Sequence, residues 1–247
     1  LDLFFVFVLF ILGSSLVYIL NDYIDQKKDK LNPFKKDRPL ASNKISTNLA
    51  FKIFTVILFL LVYLSHQFII KDVIFLLSTY LLINISYSLF LKKIFLIDII
   101  VVSSGYVIRV LAGYGQLKEN NDLFLLTGIF FLSLIILIIK RKSEFSAKIY
   151  KKSLKFYNHE ISNKIFYTLN VFILINYYLF SKTFLNTGDI VISFIPVIIS
   201  LFRLINLLIT KKIIKSISVV LFSDKIILIN FTIWILVIYF RPFQNFL

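Results

Sequence analysis

Apolar residues follow one another in eight long runs that polar segments separate. Each run is long enough to cross a bilayer as a helix, whereas the strands of a membrane barrel would be shorter and would alternate in polarity. The pattern therefore predicts an all-α fold, a polytopic transmembrane helical bundle. The predicted spans are approximately Leu3–Leu20, Leu49–Ser65, Val73–Leu91, Ile94–Tyr114, Leu123–Ile139, Ile165–Phe180, Ile190–Ile209 and Ile226–Phe240.

The composition agrees with a membrane protein. Of the 247 residues, 59% are hydrophobic, and no segment of the size of a soluble domain is left between the runs. Residues 1–247 are therefore predicted to form a single integral membrane domain. Cysteine is absent, which excludes disulfides, thiolate metal sites and cysteine nucleophiles. The two histidines, His66 and His159, lack metal-binding neighbours, so no zinc site is predicted.

The basic residues indicate how the bundle is oriented. Twenty-one Lys and Arg lie in the loops on one side of the predicted spans and four on the other. By the positive-inside rule the richer side faces the cytoplasm, so topology explains the net charge of +15 and no nucleic acid partner is predicted. We expect the bacterial inner membrane. The chain starts at Leu1 on the outer side, within an apolar run, and we therefore expect one further helix upstream.

A cluster of acidic residues follows the first apolar run directly. On a helix, Asp22, Asp25 and Asp29 fall on one face, at i, i+3 and i+7, and Asn21 precedes them. Clustered carboxylates repel one another unless a cation holds them together, and oxygen ligands select hard ions. The pattern predicts that the three carboxylates bind Mg²⁺, with open positions for phosphate oxygens. A solvated acidic helix end is the alternative interpretation.

Basic residues after the acidic cluster are candidates for binding the other side of a phosphate. Arg38 offers bidentate contacts, and it precedes Pro39, which favours a fixed loop geometry. Lys35 is the second candidate. Topology alone would account for the other basic residues of this loop.

Further candidates lie in three other runs. Tyr87 and Lys92 end the third run, where an interfacial anchor and a snorkelling lysine are an equally good explanation. Arg109 lies inside the fourth run, about 22 Å from its cytoplasmic end at 1.5 Å per residue, and a charge there usually faces a cavity or a partner. It is alternatively a structural or outer-facing charge. Arg203, in the seventh run, is placed to point into the same site as Arg109.

The fifth run ends in a basic segment with Lys140, Arg141 and Glu144. One interpretation is a second half-site for an anionic substrate. The other is a basic loop on an anionic leaflet, in which Glu144 pairs with Lys140 at i+4.

These motifs together resemble the UbiA superfamily of membrane prenyltransferases, over nearly the whole chain. The acidic stretch is similar to that family's N-D-x-x-D-x-x-x-D motif, and Arg38-Pro39-Leu40-Ala41-Ser42 is similar to its R-P-[LI]-A-S-G. The family has nine helices, so the resemblance implies that eight of them are present. Asn43 stands where the motif has Gly, and Asn32 stands where one branch of the family usually has His before Pro.

The family's aromatic prenyltransferases carry a second aspartate motif, D-x-x-x-D, in the loop after the fifth run. Between Lys140 and Lys164 this chain has no Asp, only Glu144 and Glu160. It is more similar to the branch that contains decaprenyl-phosphate phosphoribosyltransferase. The shared residues are Pro33, Lys35, Arg38, Tyr87, Ser88, Lys92, the segment from Asp98 to Gly113 with Arg109, Lys140, Arg141 and Glu144.

Resemblance to this branch implies transfer of a 5-phosphoribosyl group from phosphoribosyl pyrophosphate to a polyprenyl phosphate, a precursor of cell wall lipids. Magnesium would be held by the three aspartates, with an amide contact from Asn21. Lys35 and Arg38 would clamp phosphates on one side. The second phosphate would be bound by Lys92, Lys140 and Arg141.

Two alternatives stay open. The first is prenyl transfer from a prenyl diphosphate to an aromatic acceptor, which needs a second acidic site. The second is anion transport along Arg109 and Arg203, which gives no reason for a one-sided acidic triad.

Overall fold

The computed structural model describes residues 2–32, 35–67, 71–117, 123–146, 156–209 and 224–240, and within these ranges the regular structure is helical. The prediction of an all-α fold is confirmed, because each apolar run corresponds to one helix. The eight α-helices of the described ranges are α1 (Asp2–Asp29), α2 (Thr47–Gln67), α3 (Lys71–Leu89), α4 (Ile97–Leu117), α5 (Leu123–Ser146), α6 (His159–Phe184), α7 (Thr187–Ile209) and α8 (Lys225–Phe240).

The helices differ in how well they suit a membrane. Among the described residues, six helices are long and apolar enough to cross one by length and composition, namely α1 to α5 and α7. Helix α8 is apolar, but its 16 residues reach only about 24 Å at 1.5 Å per residue. Helix α6 is long enough, but Asn170, Asn176 and its tyrosines make it less apolar. Within the described residues six of the eight predicted spans therefore meet both criteria, and for α6 and α8 a membrane crossing stays a prediction.

The chain divides into two compact units, each of which is described by itself. The first contains α1 to α4 and α5 as far as Phe130. In it, α1 packs against α2, α3 and α4, and α3 packs against α4. Gly13 allows α1 to approach α3 closely, since a Cβ there would lie 3.1 Å from Leu77 Cδ1. The core around this contact is formed by Val6, Leu9, Phe10, Leu16, Val17, Leu61, Val73, Leu77, Tyr80, Ile108 and Ala112.

Helices α1 and α3 run in the same direction. Ser14 of α1 contacts Tyr80 of α3, and Asn21, seven residues further along α1, contacts Lys92, twelve residues beyond Tyr80. The acidic end of α1 and the chain after α3 therefore lie at the same end of this unit. Two spans separated by one other span are expected to be parallel.

The second unit contains α5 from Phe131 and α6 to α8. Helix α7 packs against α6 and α8. Helix α6 begins after Asn158, whose side-chain oxygen accepts a hydrogen bond from the Ile161 amide at 2.8 Å, as an N-cap does. Trp234 of α8 donates a hydrogen bond to the Tyr177 hydroxyl at 3.0 Å. That residues 1–247 form a single domain stays a prediction.

Candidate functional site

The acidic cluster lies on the last two turns of α1, because this helix continues beyond the apolar run and ends at Asp29. The predicted spacing on a helical face is thereby confirmed for Asp22, Asp25 and Asp29. Asp29 is the most enclosed of the three, with 4% of its surface exposed. A buried carboxylate needs charged or hydrogen-bonding partners, and the structure supplies them from two directions.

The first direction is the loop after α1, which brings Arg38 against the acidic face. Arg38 Nη1 donates to Asp22 Oδ1 at 2.6 Å and to Asp29 Oδ2 at 3.0 Å. Lys35 Nζ lies 3.8 Å from Asp29 Oδ1. One guanidinium nitrogen is thus shared by two carboxylates that stand two helical turns apart.

Hydrogen bonds fix this loop on α1. Gln26 Nε2 donates to the Leu40 carbonyl at 3.0 Å, and Ser42 Oγ donates to the Arg38 carbonyl at 2.8 Å. Asn43 has a φ of 58°, in the left-handed region that Gly and Asn tolerate best. This conformation explains why Asn replaces the usual Gly of the motif. Gln26 was not predicted from the sequence, because an amide between charged residues gives no signal of its own.

The second direction is the 3₁₀ turn Leu91–Lys93, which follows α3. Lys92 Nζ donates to Asp25 Oδ2 at 2.7 Å and to Asn21 Oδ1 at 3.2 Å, and only 6% of Lys92 is exposed. Burial lowers the pKa of the Lys92 ammonium, and the hydrogen bond to Asp25 opposes that shift. The structure therefore brings Lys92 to the acidic cluster. Tyr87, the other candidate of this segment, is half-buried near the end of α3, five residues before Lys92.

The donor set suits a hard cation. Among the described residues, no three His, Cys, Asp or Glu side chains gather into a metal site, because the carboxylates are divided between the protein's own cations. At two points, however, a pair of side-chain oxygens converges on one cationic nitrogen: Asp22 and Asp29 on Arg38 Nη1, and Asn21 and Asp25 on Lys92 Nζ. Carboxylate and amide oxygens that converge on positive charge fit Mg²⁺.

Arg109 lies away from the acidic cluster, between α1, α3 and α4. Its Nη2 donates to the Tyr80 hydroxyl at 2.5 Å and to Ser14 Oγ at 3.1 Å. Ser14 precedes Asp22 by eight residues, which is about 12 Å along a helix. Arg109 was a candidate from the sequence but Ser14 and Tyr80 were not, since only the packing of three helices brings these hydroxyls together.

The basic segment that ends α5 belongs to the second unit. Arg141 and Lys142 are buried there, whereas Lys140 is exposed. Arg141 Nη1 donates to Glu144 Oε2 at 2.7 Å, and Lys142 Nζ donates to Asn163 Oδ1 of α6 at 2.8 Å. Glu144 thus has Arg141 as an ion-pair partner.

Lys142 is a buried cation that sequence analysis did not single out. It follows buried Leu134 and Ile138 at intervals of four residues, so it continues the inward stripe of α5. This four-residue spacing is the feature of the sequence that could have identified Lys142 as a buried residue.

Arg203 contacts the start of α8 within the second unit. Its Nε donates to Asp224 Oδ2 at 2.8 Å. Asp224 Oδ1 accepts from the amides of Ile226 and Ile227 at 3.1 and 3.2 Å, so Asp224 also caps α8. Arg203 consequently links α7 to α8.

The end of α1 combines what a phosphorylated substrate with a bound metal requires. Carboxylates provide oxygens for a cation, and the neighbouring Arg38, Lys35 and Lys92 provide donors for phosphate oxygens. Groups of both signs of charge therefore lie together in one small region at the end of α1.

Comparison with known proteins agrees with the sequence motifs. A sequence model described as the UbiA prenyltransferase family matches residues 1–239. The decaprenyl-phosphate phosphoribosyltransferase of Mycobacterium tuberculosis is 31% identical over 138 residues, which are 56% of this chain and 45% of that protein. The protein of the same name in Corynebacterium glutamicum is 31% identical over 115 residues, 45% of this chain and 34% of that protein. The protein of the same name in Mycolicibacterium smegmatis is 29% identical over 107 residues, which are 43% of this chain and 33% of that protein. Each match spans less than half of the relative.

Proposed function

The chain belongs to the UbiA prenyltransferase family, and we propose that it is a membrane-bound transferase that moves a 5-phosphoribosyl group from phosphoribosyl pyrophosphate to a polyprenyl phosphate. Three relatives named decaprenyl-phosphate phosphoribosyltransferase support this substrate pair. The observation that carries the proposal is the cluster at the end of α1, where Asp22, Asp25 and Asp29 are each paired with a phosphate-binding type of cation.

Each residue of the cluster has a role in this proposal. Asp22, Asp25 and Asp29 would hold Mg²⁺, which when bound neutralises charge on the pyrophosphate. Arg38 and Lys35 donate to phosphate oxygens from the loop, and Lys92 does so from the end of α3. Asn21 orients the Lys92 ammonium through its side-chain oxygen, 3.2 Å away.

The reaction itself requires little proton chemistry. The bond between the anomeric carbon of ribose and a pyrophosphate oxygen breaks, and pyrophosphate leaves with the electron pair. A phosphate oxygen of the lipid forms the new bond to that carbon. The lipid phosphate is already an anion, so binding, orientation and charge neutralisation are the tasks left to the side chains.

The second substrate is assigned from the sequence motif at the end of α5. We propose that Lys140 and Arg141 bind the phosphate of the polyprenyl lipid, and that apolar helix faces hold its tail. Tyr87, Glu144 and Arg203 are proposed as further substrate-binding residues on the same basis. The positive-inside count supports a cytoplasmic active site, where a water-soluble phosphorylated donor is available.

The alternative is transfer of a prenyl group to an aromatic acceptor, and the family's description names prenyl transfer without naming an acceptor. That reaction needs a second acidic site after α5. Glu144 is engaged by Arg141, and Glu160 is fully exposed and paired with Lys164 at 2.7 Å. Two separately paired glutamates are a poor substitute for a second aspartate motif. Transfer of a phosphoribosyl group is therefore better supported than transfer of a prenyl group to an aromatic acceptor.

A substrate-pair assay tests the proposal. Purified protein with Mg²⁺ is offered either labelled phosphoribosyl pyrophosphate with a polyprenyl phosphate, or a labelled prenyl diphosphate with hydroxybenzoate. We expect a labelled lipid product from the first pair, and its loss after chelation. Product from the second pair alone would overturn the proposal in favour of the aromatic alternative. Uptake of phosphoribosyl pyrophosphate into vesicles without product would indicate a transporter.

A further inference from the structure

Arg109 joins three helices of the first unit through a closed set of hydrogen bonds. Its Nη2 donates to the hydroxyls of Ser14 in α1 and Tyr80 in α3, and these two oxygens lie 3.2 Å apart. Its guanidinium carbon lies 4.8 Å from the centre of the Tyr80 ring and 5.5 Å from that of the Tyr106 ring. Among the described residues, no carboxylate pairs with Arg109.

These contacts are costly to break inside an apolar helix bundle. A guanidinium within an apolar helix bundle needs hydrogen-bond acceptors and aromatic faces, because water is not there to replace them. Tyr80 is 3% exposed and also packs edge-on against Phe10, with ring centres 5.6 Å apart. Moving α1 along α3 would therefore disrupt several interactions at once.

The contact between Lys92 and the acidic cluster depends on the same two helices, because its partners lie on α1 and directly after α3. Asn21 and Asp25 follow Ser14 on α1, and Lys92 follows Tyr80 after the end of α3. Since α1 is a continuous helix from Asp2 to Asp29, an axial shift at Ser14 is transmitted to Asp25. A slip of one residue would move Asp25 by about 1.5 Å along the helix axis relative to Lys92, which would lengthen and misalign a bond that is 2.7 Å long.

We propose that Arg109 is a positioning residue that sets the register of α1 against α3, and thereby places Asp25 and Asn21 on Lys92. It acts through Ser14 and Tyr80, and it does not contact the phosphates. The inference rests on the proposed function only where it concerns turnover, since the register itself is a property of the folded chain.

The register can be measured directly, because the chain has no cysteine and two introduced cysteines can be labelled cleanly. Tyr23 of α1 and Leu89 of α3 are 58% and 51% exposed and lie near the acidic cluster. Spin labels on Tyr23→Cys and Leu89→Cys report the α1–α3 distance in detergent or nanodiscs by pulsed electron resonance. Arg109→Gln removes the guanidinium, and Arg109→Lys keeps the charge without the planar fork.

Thr79→Val is the matched control. It removes a neighbouring hydroxyl of α3 that bonds only within its own helix, to the Phe75 carbonyl. We expect Arg109→Gln to shift or broaden the label distance by about 1.5 Å or more, while Thr79→Val leaves it unchanged. In the substrate assay, Arg109→Gln should lower kcat about 10- to 100-fold with little change in KM.

The outcomes separate this inference from the proposed function. An unchanged distance in Arg109→Gln, with or without a rise in the KM of a phosphorylated substrate, would overturn the positioning role. A changed distance in a protein that shows no phosphoribosyl transfer would keep the register claim and count against the proposed function. If Arg109→Gln does not fold, Tyr80→Phe and Ser14→Ala each remove one acceptor, and an unchanged distance in both would overturn the inference.

Discussion

Lys92 Nζ lies 2.7 Å from Asp25 Oδ2, although 67 residues separate the two in the chain. Their side chains are 8% and 13% exposed, so the pair is largely withdrawn from water. A charge pair of this kind is weak evidence for net stability, but the removal of one partner leaves the other charge uncompensated. The pair therefore ties the chemistry of α1 to the chain that follows α3.

A double-mutant cycle measures this coupling. Lys92→Met and Asp25→Asn should each destabilise the protein, and the double variant should be destabilised by less than the sum of the two. We expect a coupling energy of about 1–3 kcal/mol from denaturation in detergent. Additive effects would show that the two charges do not interact in the folded protein. Lys28→Met is the control, since Lys28 Nζ lies 4.0 Å from Asp25 Oδ1 and its side chain is 67% exposed.

Asp25→Asn should abolish turnover while the protein still inserts and folds. The amide keeps the shape of the side chain, but it removes the negative charge that a metal and Lys92 require. Asp2→Asn makes the same change at the opposite end of α1, where the side chain is exposed, and should leave activity unchanged. Turnover is measured with the substrate pair above, and folding by size exclusion. Full activity of Asp25→Asn would contradict the proposed mechanism.

Arg38→Lys should reduce kcat/KM about as strongly as Arg38→Gln. A single nitrogen of Arg38 serves both Asp22 and Asp29, while the rest of the planar guanidinium remains for phosphate, and a lysine ammonium cannot reproduce that fork. We expect a loss of about 10- to 100-fold for both variants. Lys44→Gln, in the same loop but exposed, is the control. A near-normal Arg38→Lys enzyme would show that only the charge matters.

Arg141→Gln should raise the KM for polyprenyl phosphate more than Lys140→Gln does. Arg141 is 5% exposed, and its charge-assisted bonds are worth more than those of the solvated Lys140. We expect about tenfold or more for Arg141 and about two- to fivefold for Lys140. The KM for phosphoribosyl pyrophosphate is the internal reference and should change little. Equal effects on the two substrates would contradict a lipid-phosphate role.

Tyr177→Phe should change the fluorescence of the protein without affecting turnover. Trp234 is the only tryptophan of the chain, and its indole donates to the Tyr177 hydroxyl at 3.0 Å. Loss of that acceptor should shift the emission and lower stability by about 1 kcal/mol. Tyr178→Phe, one residue further along α6, should leave the emission unchanged. An unaltered spectrum in Tyr177→Phe would argue against this contact.

The helices and the acidic face were accessible from the sequence, because both depend on local spacing. Runs of apolar residues at span length predict helices wherever water is excluded. The i, i+3, i+7 spacing of Asp22, Asp25 and Asp29 defines a face as soon as α1 includes them. Even the departure at Asn43 has a local reason, a left-handed φ of 58°.

Partner choice was less accessible, because it depends on distant segments. The structure pairs Glu144 with Arg141 at i+3, a contact that the sequence analysis did not single out beside the i+4 spacing of Lys140 and Glu144. Arg109 bonds to Ser14 and Tyr80 in the first unit, and Arg203 bonds to Asp224 in the second, contacts that no local spacing indicates; a common site for the two arginines stays a prediction. Charge and depth along a span are sequence properties, whereas the rotation of one helix against its neighbour is not.

The amino-acid sequence alone therefore determined the helical class, the family and the acidic face of α1, since periodicity and motif spacing act within one segment. Only the tertiary structure decided which cation neutralises which carboxylate: Arg38 for Asp22 and Asp29, and Lys92 for Asp25. Ion pairs need oxygen and nitrogen within a few ångströms. That distance is set by the packing of α1 against α3 and by the loop folded back on α1, which no local pattern encodes.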